Sequence, residues 1–213
     1  MKIMLAVPML DKVPVDFMLS VMQLKLPQQT QLGIERNTLI YSARNNLYLK
    51  AENGGYDWIF WIDSDMVFKP DTMMRLIETA EQGGYDYVSG LTFSRKYPSV
   101  PTICKELHWE RREDGFIDHG CEQYLDYPRD SVFEIAASGC ACLLMKTELC
   151  DKVVRGFGVP PFDALPCMGE DYSFCWRLTK LGVKMVCDSR VKVGHIGEYI
   201  YDEESYLRQN ERK

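Results

Sequence analysis

Two carboxylates stand one residue apart, directly after an apolar run in the first third of the chain. The run extends from Trp58 to Ile62, and Asp63 and Asp65 follow it with Ser64 between them. An uninterrupted apolar run of this length predicts a strand that is buried on both faces, as in the middle of a parallel sheet. Ligands of open α/β sheets collect at the carboxyl ends of such strands. Two carboxylates placed there are suited to bind a divalent metal and, through it, phosphates. The alternative is a strand that ends in an acidic turn.

The two carboxylates are expected to have different roles. Asp65 is the expected metal ligand, and Asp63 is expected to contact a ribose or a metal-bound water. Side chains alternate along a strand, so both would face the same way only if the extended conformation continued through Ser64. His195 is a further candidate ligand because it lies between glycines just after a predicted strand. Imidazole suits Mn²⁺ better than Mg²⁺. Without the aspartates, a lone histidine would more often be structural or exposed.

A second acidic pair, Glu170 and Asp171, follows Gly169 and precedes a predicted helix. In one interpretation Asp171 caps the helix and Glu170 interacts with the helix dipole. In the other, the pair is catalytic, and a carboxylate accepts a proton from the hydroxyl of an acceptor. The two interpretations are compatible, because a helix N-terminus fixes the direction of a carboxylate.

Arginines supply the candidate phosphate contacts. Arg44 lies with Asn45 and Asn46 in a predicted helix, away from its apolar stripe. This polar cluster is either a solvated surface or a face that contacts a base or a phosphate. Arg95 follows a predicted strand and is a second phosphate candidate, since a guanidinium matches phosphate geometry.

The elements that must position these residues alternate between strand and helix in the first half of the chain. Strands are predicted at residues 2–8, 28–34, 58–62, 87–91, 133–145 and 183–193, and helices at residues 36–52, 70–80 and 172–181. This alternation indicates an α/β domain with a mostly parallel central sheet and flanking helices. The segment from Tyr97 to Asp130 is predicted to form a small antiparallel excursion or a flexible connection. Residues 156–168 are predicted to be a loop, and Asp202 to Lys213 a solvated helix or the point where a longer natural chain continues.

A chain of 213 residues fits one large domain or two small ones, and the absence of a clear linker favours a single domain over residues 1–213. Hydrophobic residues make up 46% and charged residues 26%, which is typical of globular proteins, and no apolar stretch is long enough for a transmembrane helix. The formal net charge of −6 argues against a nucleic-acid partner. The eight cysteines form no Cys-x-x-Cys pair, which argues against zinc and redox sites. Several lie in apolar segments, where a free thiol packs as a small hydrophobic group, and this predicts a reduced, cytoplasmic protein, although counting does not exclude disulfides.

Several of these features, taken in order, resemble a glycosyltransferase of the GT-A fold. They are Val7-Pro8, Ser42 to Asn45, Asp63 to Asp65, Gly169 to Asp171 and His195. More narrowly, the chain is similar to the small glycosyltransferase domains encoded by chlorella viruses. The resemblance implies a single Rossmann-like GT-A domain, Mn²⁺ or Mg²⁺ as the metal, and a UDP-sugar as donor. For a viral protein it also implies the host-cell cytoplasm.

The resemblance further implies a role for each site residue. Asp65 and His195 become the metal ligands, with Asp63 as their helper near the ribose. Pro8 and its neighbours, with Arg44, line the nucleotide pocket. The segment from 138 to 140 lies beneath the sugar and the acceptor. Asp171 matches the position of a base or of a contact to the donor sugar.

Three functions are compatible with the sequence. The leading hypothesis is a metal-dependent glycosyltransferase that moves a hexosyl or deoxyhexosyl group from a UDP-sugar to a hydroxyl of a glycan or glycoprotein. A nucleotidyltransferase that makes sugar nucleotides is the enzymatic alternative, but Ala6 to Leu10 contain no glycine-rich phosphate loop. A non-catalytic module that binds sugar nucleotides or carbohydrates is the third. The abundant tyrosines and tryptophans would suit sugar stacking, but such a module does not need a second carboxylate site.

Overall fold

The computed structural model describes residues 1–211, in which strands and helices alternate through the first half of the chain as predicted. The first half contains β1 (Ile3–Met9), α1 (Val15–Gln23), β2 (Thr30–Arg36), α2 (Ile40–Asn53), β3 (Trp58–Ile62), β4 (Met66–Val67), α3 (Thr72–Gly83) and β5 (Tyr87–Leu91). The second half contains β6 (Ile103–Arg111), β7 (Ile117–Gln123), β8 (Val132–Glu134), β9 (Ala137–Ser138), β10 (Cys142–Lys146), α4 (Glu148–Phe157), α5 (Glu170–Lys180), β11 (Val186–Lys192), β12 (Gly194–Ile196), β13 (Ile200–Tyr201) and α6 (Glu203–Glu211).

A seven-stranded sheet in the order β2-β1-β3-β10-β5-β11-β8 forms the centre of the domain. The pairs β1–β2, β1–β3 and β5–β11 are parallel, whereas β10 runs antiparallel between β3 and β5. Two small sheets, β13-β12-β4 and β7-β6-β9, lie beside it. This confirms the predicted single α/β domain with parallel central strands and a small antiparallel excursion.

Strand β3 is buried along its whole length because both faces of the sheet are covered. Trp61 belongs to the core cluster that includes Leu47 of α2, and Phe60 belongs to the cluster that includes Phe17 of α1 and Leu76 of α3. Successive side chains of a strand point to opposite faces. A continuous apolar sequence is therefore required here. The strand ends with Ile62 at the edge of the sheet where the acidic motif, Asp63-Ser64-Asp65, begins.

The excursion between β5 and β9 is a hairpin of β6 and β7, and it contains a disulfide between Cys104 and Cys121. The prediction of an entirely reduced protein is therefore wrong. The two Cα atoms lie 5.8 Å apart, a separation typical of disulfides. Pairing of the two strands brings these distant residues together, which counting cysteines could not reveal. The remaining six cysteines are free thiols.

The C-terminal helix differs from its prediction. Helix α6 is not solvated on all sides, since Tyr206 is 8% exposed and Gln209 is 9% exposed. Tyr206 packs against Phe93 with ring centroids 5.4 Å apart. The Gln209 amide donates to the Ser99 carbonyl at 2.6 Å and accepts from the Ser99 N–H at 2.9 Å. Residues 212–213 of the predicted helix lie outside the described residues.

Two further boundaries were predicted wrongly. Strand β2 continues to Arg36, and α2 begins only at Ile40, because Asn37 turns the chain with a φ of 57°. Helix α4 was not predicted at all, although Leu149 and Val153 are fully buried along one side of it. None of the helices within residues 1–211 is long and apolar enough to cross a membrane.

Candidate functional site

The acidic motif lies in the turn between β3 and β4. The Asp63 N–H donates to the Ala141 carbonyl at 3.2 Å, and the chain turns at Ser64 and Asp65. The extended conformation does not continue through Ser64, so the two carboxylates have different partners. Asp63 pairs with Arg44, whereas Asp65 pairs with Arg95 and approaches His195.

Strand pairing brings His195 to Asp65. In the small sheet, His195 of β12 lies opposite Met66 of β4, and the Ile196 N–H donates to the Asp65 carbonyl at 2.7 Å. The imidazole Nδ1 lies 2.8 Å from the Phe93 carbonyl oxygen. Because a carbonyl oxygen only accepts hydrogen bonds, Nδ1 donates to it, and Nε2 is the ring nitrogen that faces Asp65.

Nε2 of His195 is the nitrogen that could bind a metal ion beside Asp65. Nε2 lies 3.3 Å from Asp65 Oδ2. An imidazole fixed through its other nitrogen by a backbone carbonyl is the usual arrangement of a metal-binding histidine. Burial opposes ionisation of Asp65, but the neighbouring His195 and Arg95 outweigh it and lower the pKa of this carboxyl. Asp65 is therefore a carboxylate at neutral pH, as metal binding requires.

The two side chains do not by themselves form a complete metal cage. Within residues 1–211, no group of three or more histidine, cysteine, aspartate or glutamate side chains could hold a metal ion. Mg²⁺ and similar ions are commonly bound by one or two carboxylates together with substrate phosphates. The donor set of Asp65 and His195 fits a metal that is shared with a diphosphate.

Arg44 is buried at 2% exposure and connects three elements. Its Nη2 donates to Asp63 Oδ1 at 2.9 Å, its Nε donates to Glu170 Oε1 at 3.2 Å, and the guanidinium lies 5.6 Å from the Trp61 ring centroid. Burial disfavours its charge, but Asp63 and the other carboxylates outweigh that effect and raise the Arg44 pKa. The surface interpretation of Arg44 is therefore wrong. The arginine joins α2 to the end of β3 and to the start of α5.

Replacement of Arg44 by methionine is expected to lower the free energy of unfolding by about 3–5 kcal/mol, because Asp63 and Glu170 would keep their charges without their shared buried partner. Urea denaturation at pH 7 measures this loss. The control is Arg44→Lys, which retains the charge but lacks the planar guanidinium that pairs with both carboxylates. This variant is expected to lose less stability. An equal loss in the two variants would contradict an electrostatic role and favour packing.

Asp171 lies in the first turn of α5 and does not cap the helix, since Gly169 is the capping residue and makes no side-chain bond. The Asp171 Oδ1 accepts from the Tyr172 N–H at 2.8 Å. Burial and the adjacent Glu170 carboxylate raise the pKa of Asp171 to about 6. A Cβ atom at position 139 would lie 3.5 Å from Asp171 Oδ2, so Gly139 is a close neighbour of this carboxyl. A carboxylate with a raised pKa is suited to act as a general base near neutral pH.

A cavity of about 460 Å³ opens beside the acidic motif. It is lined by Pro8, Met9, Leu10, Thr38, Leu39, Ile40, Ala43, Asp63, Ser64, Asp65 and Arg95. One part of the lining is apolar, and the other holds the carboxylates and the arginine, a division that suits a planar base joined to a charged diphosphate. Arg44 is absent from the lining because it lies behind Asp63.

Five of the eleven lining residues were predicted site residues, namely Pro8, Asp63, Ser64, Asp65 and Arg95, whereas Ala43 and residues 38–40 were not. They follow β2, whose carboxyl end lies beside that of β1 in parallel register. The rule that ligands collect at the carboxyl ends of parallel strands would have indicated them, had the boundary of α2 been correct. All three residues of the segment from 138 to 140 are buried, and Gly139 lies close to Asp171.

The fold is that of GT-A-like α/β domains, as two solved structures indicate. The alignment with the crystal structure of A197 from STIV covers 92% of this chain and 86% of the A197 chain, with a TM-score of 0.64 and 17% sequence identity. The alignment with the crystal structure of GalNAc-T7 with UDP, GalNAc and Mn²⁺ covers 92% of this chain and 43% of the GalNAc-T7 chain, with a TM-score of 0.58 and 11% sequence identity. The chain thus spans less than half the length of GalNAc-T7.

A sequence comparison adds a family to this fold. The family model described as Glycosyl transferase family 2 matches residues 28–127, which include the acidic motif and Arg95. No curated protein sequence matches the chain significantly. The matched residues are thus similar to this family over just under half of the chain, whereas the two structures, at 17% and 11% identity, show likeness of fold alone.

Proposed function

We propose that this protein is a metal-dependent glycosyltransferase that moves a hexosyl or deoxyhexosyl group from a UDP-sugar to a hydroxyl of a glycan or glycoprotein. The observation that carries the proposal is the pairing of Asp65 with His195 at the edge of a cavity of nucleotide size. The family match to residues 28–127 supports the same activity.

Asp65 and His195 Nε2 would hold Mn²⁺, or Mg²⁺, together with the diphosphate of the donor. The metal supplies positive charge that stabilises the departing UDP. Asp63 and Ser64 lie in the same lining and are the proposed contacts to the ribose side of the donor. Arg95 is the proposed phosphate contact, since its guanidinium already faces an oxyanion in this cavity. The GalNAc-T7 structure was determined with UDP and Mn²⁺, which supports this choice of donor and metal.

Asp171 is the proposed general base. Transfer breaks the bond between the anomeric carbon and the phosphate oxygen, and the electron pair leaves with UDP. A new bond forms between the anomeric carbon and the acceptor oxygen, whose proton passes to the Asp171 carboxylate. Glu170 is not expected to touch the acceptor itself, because its Oε1 accepts from Arg44. Its proposed role is to position the start of α5 and to raise the pKa of Asp171.

The test is release of UDP from a panel of UDP-sugars by the purified chain, with Mn²⁺ or with EDTA. Release from one or a few donors that requires Mn²⁺ supports the proposal, and faster release on addition of glycan acceptors would identify the acceptor class. Equal release in EDTA would contradict metal dependence, and release from no nucleotide sugar would contradict the enzyme. The cytoplasmic location and the likeness to chlorella-virus proteins stay predictions.

A further inference from the structure

A single carboxylate oxygen in the cavity faces two nitrogen groups. Asp65 Oδ2 lies 3.0 Å from Arg95 Nη1 and 3.3 Å from His195 Nε2. His195 Nδ1 donates to the Phe93 carbonyl, so Nε2 is the ring nitrogen that faces Asp65. Arg95 is a permanent cation paired with the same carboxylate.

A divalent ion held by Asp65 and His195 would compete with Arg95. It would need the same carboxylate oxygen, and its two positive charges would repel the guanidinium at close range. An ion that arrives alone must therefore separate Arg95 from its only anionic partner among the described ion pairs. An ion that arrives with a diphosphate brings a new anion for the arginine.

The structure allows Arg95 to move without movement of its backbone. Its side chain is 51% exposed, so few contacts hold it in place. The surrounding segment is fixed, because the Ser94 N–H donates to the Val100 carbonyl at 2.9 Å and Gln209 holds Ser99 on both sides. Rotation of the side chain within the cavity is sufficient for the guanidinium to change partners.

We propose that Arg95 is a built-in cation that occupies Asp65 until the donor binds and then transfers to the diphosphate, so that metal and nucleotide bind cooperatively. This inference rests on the proposed function, since it takes Asp65 as a metal ligand. By linkage, whatever UDP adds to the affinity for the metal, the metal adds equally to the affinity for UDP. Metal alone is bound weakly, because it must displace the guanidinium.

Binding of Mn²⁺, measured by the paramagnetic resonance signal of the free ion, tests the inference without relying on activity. Arg95→Gln is expected to bind Mn²⁺ alone about tenfold more tightly than the wild type, whereas the enhancement by UDP is expected to shrink by a similar factor. The matched control is Arg112→Gln. Arg112 is also an exposed arginine, at 54%, in an ion pair with an aspartate, Asp118, and its loss changes the net charge equally.

Each outcome bears on the inference. Tighter Mn²⁺ binding in Arg95→Gln but not in Arg112→Gln supports the inference. Equal tightening in both variants would show that the change in net charge alone causes the effect, and the inference would be overturned. If Asp65→Asn abolishes Mn²⁺ binding while Arg95→Gln leaves it unchanged or weaker, the inference fails and the metal site stands. If no variant binds Mn²⁺ even with UDP, the inference and the proposed metal dependence fail together.

Discussion

Replacement of Asp65 by asparagine is expected to lower Mn²⁺-dependent release of UDP by about 10³-fold, the effect of losing one strong electrostatic contact to a leaving group. Asparagine keeps the shape of the side chain but removes the charge that the metal requires. The remaining candidate ligand, His195, has no negative charge to offer a metal, and its Nδ1 donates to the Phe93 carbonyl. It cannot replace the lost carboxylate. Steady-state assays at saturating Mn²⁺ measure the loss.

The fold of the Asp65 variant provides the necessary check. Asp65 is partly exposed, and its ion pair with Arg95 is half exposed, so its removal is expected to change the free energy of unfolding by at most about 1 kcal/mol. Asp118→Asn is the control, because Asp118 forms a comparable exposed pair with Arg112 far along the hairpin. A variant at Asp65 that retains the wild-type rate and the wild-type Mn²⁺ dependence would refute its role as ligand.

The sequence predicted the parts of the site that depend on local patterns. The apolar run before Asp63 and Asp65 predicts a strand without any information about distant residues, because a strand that is buried on both faces is apolar at consecutive positions. The glycines around His195 gave a similar local signal. Both predictions concern residue types and their place at the end of a strand, and the structure brings Asp65 and His195 together.

The parts that the sequence did not predict depend on distant partners. The position of Arg44 off the apolar stripe of its helix predicted either a solvated surface or a face that contacts a base or phosphate, yet Glu170, one of its two partners, lies 126 positions away. The packing of α6 on Phe93 arises in the same way, from a contact between segments that are far apart in the chain, and the disulfide depends on the pairing of β6 with β7. Periodicity describes one element at a time, so it cannot report which charges another element brings to it.

The environment of Asp171 also depends on tertiary contacts. Its replacement is the second change that is expected to lower the activity strongly. Replacement of Asp171 by asparagine is expected to lower the rate of transfer to the acceptor by about 10²–10⁴-fold, the usual contribution of a general base. Asparagine can still accept from the Tyr172 N–H, but it cannot take the proton of the acceptor hydroxyl. Affinities for UDP and Mn²⁺ are expected to remain close to those of the wild type, which separates this effect from that of Asp65.

The pKa of Asp171 determines how the transfer rate should change with pH. Burial and Glu170 raise the pKa of Asp171 to about 6, so the wild-type rate is expected to fall below that pH as the base becomes protonated, and to level off above it. The asparagine variant is expected to lose this inflection. A folded-state pKa above the unfolded value means that ionised Asp171 destabilises the fold as the pH rises. The variant should therefore be at least as stable as the wild type at pH 8 in urea denaturation. An inflection near pH 6 that persists in a folded Asp171→Asn variant would assign the base to another residue.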